Sequence, residues 1–287
     1  MRAPRYAAAM ISPDDVSAIL ARHGVLGAWQ ALPAHGIANH IFATDDVVLR
    51  IATDHPEARP DARTEVVAAP VARAHGIAVP RLLAFQAGEY SLWERVHAET
   101  LSELPFLPRA WRELGGELAR LHDRVRACDD PNGWLDTPGP YDDPAPPLRA
   151  LVARGAVPAD AAAALERWLD ALRPALAPPS RRCFLHNDAH AGNVMCTRDG
   201  ALVALIDWGD AGWGDPAHEL GSLPIEAVPH VVAGYEAAGG ELAGCEAMIL
   251  WDQIGGAVDS VETGYRADAI TALLAFARDA DPRWRFK

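Results

Sequence analysis

Residues 184–193 read F-L-H-N-D-A-H-A-G-N, and this stretch decides how the rest of the chain is interpreted. A short apolar run ends here in a crowd of polar side chains, among them two histidines four positions apart. His186, Asp188 and His190 are candidate metal ligands, but a zinc site takes three or four ligands and usually draws one from a distant segment. The other nine histidines form no second cluster. On this stretch alone, a metal site and a polar loop that caps a strand both stay open.

A catalytic loop is the third interpretation, and it rests on spacing. Asp188 and Asn193 are five positions apart, as in the kinase loop H-R-D-x-x-x-x-N, where the Asp accepts a hydroxyl proton and the Asn binds a metal ion. This interpretation requires a second metal-binding aspartate at the end of a buried strand. Asp207 meets the requirement, because it ends the apolar run A-L-V-A-L-I-D fourteen positions after Asn193. Such oxygen ligands suit Mg²⁺.

Two segments together resemble a known family. H-N-D-A-H-A-G-N, followed by I-D-W-G-D-A-G-W-G-D-P-A-H-E-L, is similar to the aminoglycoside phosphotransferase family of antibiotic and small-molecule kinases, and the resemblance covers about residues 25–225. It implies an α+β, protein-kinase-like fold with a small β-rich N-terminal lobe and a larger, mainly helical C-terminal lobe. ATP would bind between them. We expect the lobes to comprise residues 1–95 and 96–287.

The resemblance also implies roles for single residues. Asp188 looks like the catalytic base that orients and deprotonates the acceptor hydroxyl, and Asn193 and Asp207 look like the ligands of Mg²⁺. His186 would hold the loop. Asp215, in G-D-P, would tie the segment after Asp207 to a helix start. For His190, which follows the catalytic aspartate by two positions, packing is favoured over substrate contact.

Turn signals and periodicity divide the chain into a strand-rich and a helix-rich part. A first helix over 13–23 is opened by Ser12 and Pro13. Short strands follow, with one helix over 61–75 that Pro70 should kink or split. After Val96 the patterns predict helices at 108–127, 158–173 and within 225–279, a long surface loop at 129–147, and short strands at 193–196 and 202–207.

The third strand of the small lobe, V-V-L-R-I-A, carries the expected phosphate-anchoring cation. That cation is Arg50, where many relatives have lysine, and the only lysine in the chain is the last residue, Lys287. A guanidinium can bind phosphate oxygens through two N–H groups, so the chemistry survives the exchange. Its expected partner is Glu65, at the start of the next helix. The alternative is that Arg50 is a surface charge on an edge strand.

The remaining nucleotide contacts have weaker signals. The segment P-A-H-G-I-A-N-H has a single glycine, Gly36, and lacks G-x-G-x-x-G, so we expect a reduced phosphate loop that Asn39 assists. Trp93-Glu94-Arg95-Val96 ends the last strand of the lobe, where a hinge should offer backbone groups to adenine. Topology alone places Glu94 and Val96 there.

Charge narrows the choice of partner. The formal net charge is −13; residues 1–95 hold 9 basic and 10 acidic side chains, whereas residues 96–287 hold 17 basic and 29 acidic ones. Nucleic acid is a poor partner for such a surface, and a small cationic, hydroxylated molecule is a good one. The spacing of the helical acids is compatible with one face, although a solvated helix surface is the alternative. The candidate substrate-binding acids are Asp210, Asp252, Asp259 and Glu262.

We therefore expect an ATP- and Mg²⁺-dependent O-phosphotransferase that acts on an aminoglycoside or a basic peptide antibiotic. Metabolite kinases of the choline, fructosamine or homoserine type are the alternative among enzymes. A non-catalytic, nucleotide-binding pseudokinase is the alternative from another class, although it would not need to keep Asp188, Asn193 and Asp207 together.

The compartment is inferred from cysteines and hydropathy. Four scattered cysteines without a C-x-x-C pair indicate reduced thiols, and no apolar run approaches the roughly 18 residues of a membrane helix. The short run in M-R-A-P-R-Y-A-A-A-M-I ends at a helix start, which argues against a signal peptide. We expect a cytoplasmic monomer or weak dimer that does not bind membranes.

Overall fold

The computed structural model has a β-sheet lobe followed by a larger helical lobe, which is the α+β arrangement expected from the sequence. It describes residues 11–33, 38–137, 142–176, 182–242, 244–264 and 266–279. Within these ranges, no helix combines the length and the hydropathy that crossing a bilayer requires. The helices are α1 (Pro13–Arg22), α2 (Ala58–Ala74), α3 (Pro108–Arg124), α4 (Ala145–Ala153), α5 (Ala159–Leu172), α6 (Val228–Ala237), α7 (Glu246–Thr263) and α8 (Ala269–Asp279).

The strands form one large and two small antiparallel sheets. The large sheet has the order β1-β2-β3-β5-β4, which places β3 at its centre. The small sheets have the orders β10-β7 and β6-β8-β9, so the loop between β7 and β8 connects them. The strands are β1 (Gln30–Leu32), β2 (Asn39–Ala43), β3 (Val47–Ala52), β4 (Leu82–Gln86), β5 (Tyr90–Glu94), β6 (Glu99–Thr100), β7 (Cys183–Leu185), β8 (Val194–Cys196), β9 (Leu202–Leu205) and β10 (Gly212–Gly214).

Alternation along β3 sorts its side chains between two faces of the sheet. Val47 and Leu49 pack with Val16 and Leu20 of α1 in a small apolar cluster. Arg50 therefore points to the opposite face, where α2 lies. The helix α2 runs through Pro70 without the predicted break, because alanines on its buried side keep it packed against the core.

The two lobes are joined at Ala78, in the segment between α2 and β4. The Ala78 N–H donates to Glu117 Oε1 of α3 at 2.5 Å, and the Ala78 carbonyl accepts from the Leu205 N–H of β9 at 2.7 Å. A third contact attaches α2 itself, since Thr64 Oγ1 donates to the Trp134 carbonyl at 2.6 Å. The helix that carries Glu65 is thus fixed to the helical lobe.

The helical lobe is centred on the crossing of α3 and α6. A Cβ atom added at Gly115 would lie 1.9 Å from the Val231 carbonyl oxygen, and one added at Gly234 would lie 1.9 Å from the Arg112 carbonyl oxygen. Glycine is therefore required on both helices for the backbones to approach this closely.

Two departures from the sequence expectations lie in the helical lobe. The region predicted as helical over 225–279 divides into α6, α7 and α8. The loop predicted over 129–147 ends early, because α4 begins at Ala145 with prolines in its first turn. Proline is tolerated there, since the first N–H groups of a helix have no partner within the helix.

Candidate active site

The loop between β7 and β8 holds Asp188 and Asn193 together. Asn193 Nδ2 donates to both the carbonyl and Oδ2 of Asp188, each at 2.9 Å. The Asn193 side chain is buried and the Asp188 carboxyl is about 30% exposed. Because its amino group is used by Asp188, the amide presents its other atom, Oδ1, away from that carboxylate. The predicted base and one predicted metal ligand are therefore neighbours.

His186 lies beneath this loop and contacts backbone rather than open space. Its Nε2 donates to the Ile206 carbonyl at 3.0 Å and its Nδ1 accepts from the Asp188 N–H at 3.3 Å. The ring packs edge-on against Trp208 at 4.5 Å between centroids. Burial lowers the pKa of His186, which agrees with a neutral ring that donates once and accepts once. These contacts are those of a residue that holds the loop.

Glu219 was not anticipated from the sequence, and it fixes the start of the loop. This fully buried carboxylate accepts from the His186 N–H at 2.6 Å and from the Asn187 N–H at 2.9 Å. Asn187 adopts a left-handed φ of 67°. His122 Nε2 of α3 lies 3.2 Å from Glu219 Oε1, and His122 Nδ1 lies 2.8 Å from the hydroxyl of Tyr235. A buried polar network thus connects α3 and α6 to the catalytic loop.

Asp207 follows β9 and meets the small lobe at Arg50. Arg50 Nη2 donates to Asp207 Oδ1 at 2.7 Å, while Nη1 contacts Glu65 of α2. The Arg50 side chain is only 12% exposed and belongs to the central strand, so the alternative of an edge-strand surface charge is wrong. Asp207 also has a positive φ of 64°, a backbone state found at functional sites.

The donor set fits the Mg²⁺ that the family resemblance implies. Mg²⁺ is usually held by one or two protein oxygens together with substrate phosphates and water, and Asn193 and Asp207 offer an amide and a carboxylate oxygen. Arg50 opposes the effect of burial and lowers the pKa of Asp207, which keeps that carboxylate ionised. In the part of the chain that the structure describes, no three His, Cys, Asp or Glu side chains are placed to hold a metal. A zinc site at His186, Asp188 and His190 is therefore unsupported.

Further carboxylates surround the base. Burial, reinforced by Asp210 and Asp207, raises the pKa of Asp188 to about 8. Burial and the same two neighbours raise the pKa of Asp61, in the first turn of α2, to about 7. The pKa of Asp210 is raised to about 6, chiefly by burial and by Asp207. Burial and mutual repulsion thus favour the protonated forms of these carboxyls, and a cation bound among them would favour the ionised forms.

Of the other residues predicted to contact the nucleotide, the structure describes Asn39, Glu94 and Val96. Gly36 lies outside the described residues, and Asn39 starts β2, opposite Ala52 of β3. At the hinge, the Glu94 N–H donates to the Arg81 carbonyl at 2.9 Å. The Glu94 carboxylate faces Arg73 and Arg81 at 3.4 and 3.5 Å. Adenine contacts at Glu94 and Val96 therefore stay a prediction about backbone groups.

A cavity of about 480 Å³ adjoins the catalytic loop, and the predicted substrate-binding acids divide around it. His190 and Gly192 line it from the loop, and Asp252 and Asp259 line it from α7. Glu262, expected on the same face, is not in the lining; it lies 3.7 Å from Arg154.

Asp210 also lies outside this lining, beside Asp207. Asp252 and Asp259 therefore share the cavity wall, whereas Glu262 faces the end of α4, and the part of these acids in substrate binding stays a prediction. Asp215 is buried and caps the short 3₁₀ helix Pro216–Leu220, accepting from the Ala217 N–H at 2.9 Å.

Three solved structures of small-molecule phosphotransferases and kinases share this fold. The gentamicin complex of APH(2")-IIa matches with a TM-score of 0.60 and 16% identity, covering 96% of this chain and 100% of that one. Macrolide 2'-phosphotransferase type I matches at 0.61 and 21%, covering 91% and 96%. A choline/ethanolamine kinase family protein from Mesorhizobium loti matches at 0.59 and 18%, covering 94% and 96%. At these identities the likeness shows the protein-kinase-like fold.

Sequence comparison also finds kinases. Thiamine kinases of Shigella boydii serotype 4 (strain Sb227) and Escherichia coli (strain K12) are each 37% identical over 115 residues, which is 40% of this chain. The match spans 37% of the length of those kinases. The model of the phosphotransferase enzyme family (APH) matches residues 29–251, a range that contains Arg50, the catalytic loop and Asp207. The chain therefore belongs to this phosphotransferase family.

Proposed function

We propose that the protein transfers the γ-phosphoryl group of ATP, with Mg²⁺, to the hydroxyl of a compact cationic alcohol. The observation that carries this proposal is the meeting of Asp188, Asn193, Asp207 and Arg50 beside a cavity that displays the carboxylates of Asp252 and Asp259. Phosphoryl transfer needs positioning and charge stabilisation more than covalent chemistry.

Each member of the site has a proposed part in the transfer. Asp188 accepts the proton of the acceptor hydroxyl. Asn193 and Asp207 would hold Mg²⁺, which when bound neutralises phosphate charge, and Arg50 would bind phosphate oxygens. Since the pKa of Asp188 is raised in the nucleotide-free protein, cations bound beside it should lower that pKa and prepare the base.

The cavity favours an acceptor of low positive charge. Two carboxylates, those of Asp252 and Asp259, line it. Asp252 Oδ2 lies 2.8 Å from His218 Nδ1, so a protonated His218 would offset the charge of Asp252. Arg266 also lines the cavity and adds positive charge. An aminoglycoside with several ammonium groups would find few partners here, whereas one cationic centre beside one hydroxyl is well matched. The similarity to thiamine kinases supports the same class of acceptor.

The antibiotic acceptor expected from the sequence is the second candidate. It is favoured by the fold shared with the gentamicin and macrolide enzymes and by the excess of acid after residue 95. We disfavour a pseudokinase, because it would not need to keep the proposed base Asp188 and the proposed metal ligands Asn193 and Asp207 together.

A turnover screen tests the proposal. Purified protein, ATP and Mg²⁺ are incubated with thiamine, choline, gentamicin or streptomycin, and ADP release is followed together with product mass. We expect a phosphorylated product from thiamine or choline, with the higher kcat/KM for a monocation, and none from Asp188→Asn. Efficient phosphorylation of gentamicin or streptomycin alone would favour the second candidate. ADP binding without any product would favour the pseudokinase.

A further inference from the structure

We propose that His218 is a positioning residue that controls the charge which Asp252 presents to the acceptor cavity, so that the cavity binds cations more tightly as the pH rises. The inference rests on the proposed function, because it concerns the acceptor side of the same site. It goes beyond it by assigning a role to a histidine that lies outside the cavity lining.

The pair is well defined by its geometry. His218 Nδ1 and Asp252 Oδ2 are 2.8 Å apart, and both side chains are more than four-fifths buried. His218 belongs to the 3₁₀ helix that Asp215 caps, whereas Asp252 belongs to α7 and lines the cavity. The carboxylate of Asp252 therefore lines the cavity, and the imidazole of His218 lies behind it, outside the lining.

Two neighbouring contacts hold the partners in place. A Cβ atom at Gly221 would lie 3.1 Å from the Cβ of Asp252, so the chain after His218 packs directly on α7. Gln253, the next residue of α7, donates to the Leu223 carbonyl at 3.0 Å. These contacts hold the backbone of α7 against the segment 216–223, which keeps His218 and Asp252 next to each other.

The protonation state of His218 sets the charge of the pair. A neutral imidazole donates its Nδ1–H to Asp252 and leaves one negative charge at the cavity wall. An imidazolium makes the same hydrogen bond but cancels that charge. As the pH rises through the pKa of His218, the wall gains one negative charge, and its attraction for a cation increases.

The groups around the pair are acidic, and they favour the imidazolium. Burial alone would lower the pKa of His218, but Asp252, Asp215 and Glu219 outweigh it and raise this pKa. Burial raises the pKa of Asp252, with Asp142 and Asp215 acting in the same direction and His218 opposing them. The imidazolium of His218 is thus favoured by the carboxylates of Asp252, Asp215 and Glu219.

Other ionisable groups at the cavity behave differently. Burial lowers the pKa of His190, so this ring loses its proton at a lower pH than His218 does. Arg266 keeps its charge throughout and lies 3.5 Å from Asp268. Asp259 is exposed at the edge of the cavity. Asp188 also gains negative charge as the pH rises, since its pKa is raised to about 8. Only the change in cation affinity that His218→Gln removes is therefore assigned to the His218–Asp252 pair.

The first experiment measures the KM for thiamine between about pH 6 and pH 8.5 in the wild type, His218→Gln and Asp252→Asn. The wild-type KM should fall by about tenfold as the pH rises. The glutamine can still donate to Asp252 but does not titrate, so the KM of His218→Gln should already be low at pH 6 and should fall less with pH than the wild-type KM, while kcat at each pH stays within about threefold of the wild type. Asp252→Asn should have a higher KM that also falls less with pH, because the pH dependence that remains belongs to Asp188 and Asp210. His75→Gln, which alters an exposed histidine at the end of α2, should reproduce the wild-type profile.

Parallel KM profiles for the wild type and His218→Gln would overturn the proposal while leaving the kinase function intact. If thiamine is not phosphorylated, the proposed acceptor has failed, and a second measurement still decides. The imidazole pKa of His218 is followed by NMR with and without tetramethylammonium. The cation should lower that pKa in the wild type, because its binding favours the negative pair, and should have no effect in Asp252→Asn. An unchanged pKa in the wild type would contradict the inference.

Discussion

At the scale of single residues, Arg50 stands where many relatives have a lysine, and the structure shows what the exchange changes. The two ends of its guanidinium contact Glu65 and Asp207, so one side chain connects α2 with the aspartate that is predicted to bind the metal. A lysine offers a single ammonium group and cannot span both carboxylates with the same geometry. In this chain Arg50, which is predicted to bind the phosphates, therefore also connects the two lobes.

We expect Arg50→Lys to raise the Kd for MgADP only a few-fold, because a cation remains near the phosphates. Arg50→Ala should raise it by more than about tenfold and should lose up to about 3 kcal/mol of unfolding free energy, because Glu65 and Asp207 are left without their cation. Calorimetric titration and chemical denaturation measure the two effects. Equal Kd values in all three proteins would show that Arg50 does not contact the nucleotide.

Asp188→Asn should lower kcat by about 100-fold to 10,000-fold, the usual contribution of a positioned general base. The Kd for MgADP should hardly change, because the side chain faces the acceptor. Steady-state kinetics and calorimetry on the same preparation separate these effects. Turnover at the wild-type rate would remove Asp188 from the chemistry.

The acidic surroundings of Asp188 give a pH prediction. In the nucleotide-free protein its carboxyl should titrate near pH 8, since burial, Asp210 and Asp207 all disfavour its ionised form. Asp210→Asn removes one of these charges and should move the titration to lower pH, as followed by the carboxyl carbon in NMR. Asp123→Asn, at an exposed position on α3, is the control. An identical titration in both variants would show that Asp210 does not act on the base.

At the scale of elements, local sequence patterns predicted the positions of helices and strands, whereas features that depend on contacts between distant segments were missed. Ser12 and Pro13 mark the start of α1, and the apolar strand before Asp207 is where the sequence placed it. The helix α4 was missed because its prolines look like those of a loop, and only packing against α5 and α7 shows otherwise. Glu219 could not be assigned from the sequence, since its partners come from α3 and from the catalytic loop.

Glu219→Gln should disturb the catalytic loop, because one of the two backbone N–H groups would then face an amino group. We expect kcat to fall by about tenfold or more and the unfolding free energy to fall by about 1–3 kcal/mol. Hydrogen bonds to Glu219 outweigh burial and lower its pKa, so its contribution is present above its ordinary pKa and is lost as the pH falls. The stability difference should therefore shrink below about pH 4. Glu226→Gln, at an exposed position, should show neither effect.

The crossing of α3 and α6 offers a matched pair of glycines. Gly115→Ala would place a methyl group 1.9 Å from a carbonyl oxygen, whereas at the adjacent Gly116 the nearest atom would be 3.7 Å away. We expect Gly115→Ala to destabilise the protein by about 3 kcal/mol or more, and Gly116→Ala to be neutral or stabilising by up to about 1 kcal/mol. Thermal and chemical denaturation test this. Equal stabilities would mean that the helices can move apart without cost.

At the scale of the whole molecule, the charge asymmetry between the two parts of the chain predicts how salt acts. The acceptor side lies within the part that carries most of the negative charge. A cationic acceptor should therefore show a KM that rises with ionic strength, since exposed charges are screened over about 8–10 Å. The KM for ATP should change less, because the metal contacts are short.

The two exposed acids of α7 sharpen this test. Asp259→Asn should raise the acceptor KM because Asp259 lines the cavity. Glu262→Gln, one turn further along, should leave it unchanged because Glu262 faces Arg154. Both variants should keep kcat within a few-fold. An acceptor KM that is flat in salt, or equal effects of the two variants, would show that long-range attraction does not guide the acceptor.

The backbone contacts of Ala78 with the helical lobe predict which chimeras between this protein and its relatives will fold. A chimera cut at residue 95 would inherit Ala78 and Thr64 from one parent, and Glu117, Leu205 and the Trp134 segment from the other. Two of these three contacts use backbone atoms of the helical lobe and tolerate any side chain, but the third depends on the Glu117 carboxylate. A relative's nucleotide lobe grafted onto this helical lobe should therefore need a hydroxyl side chain at the position of Thr64 to attach its α2 helix. This nucleotide lobe grafted onto a relative's helical lobe should need a glutamate at the position of Glu117.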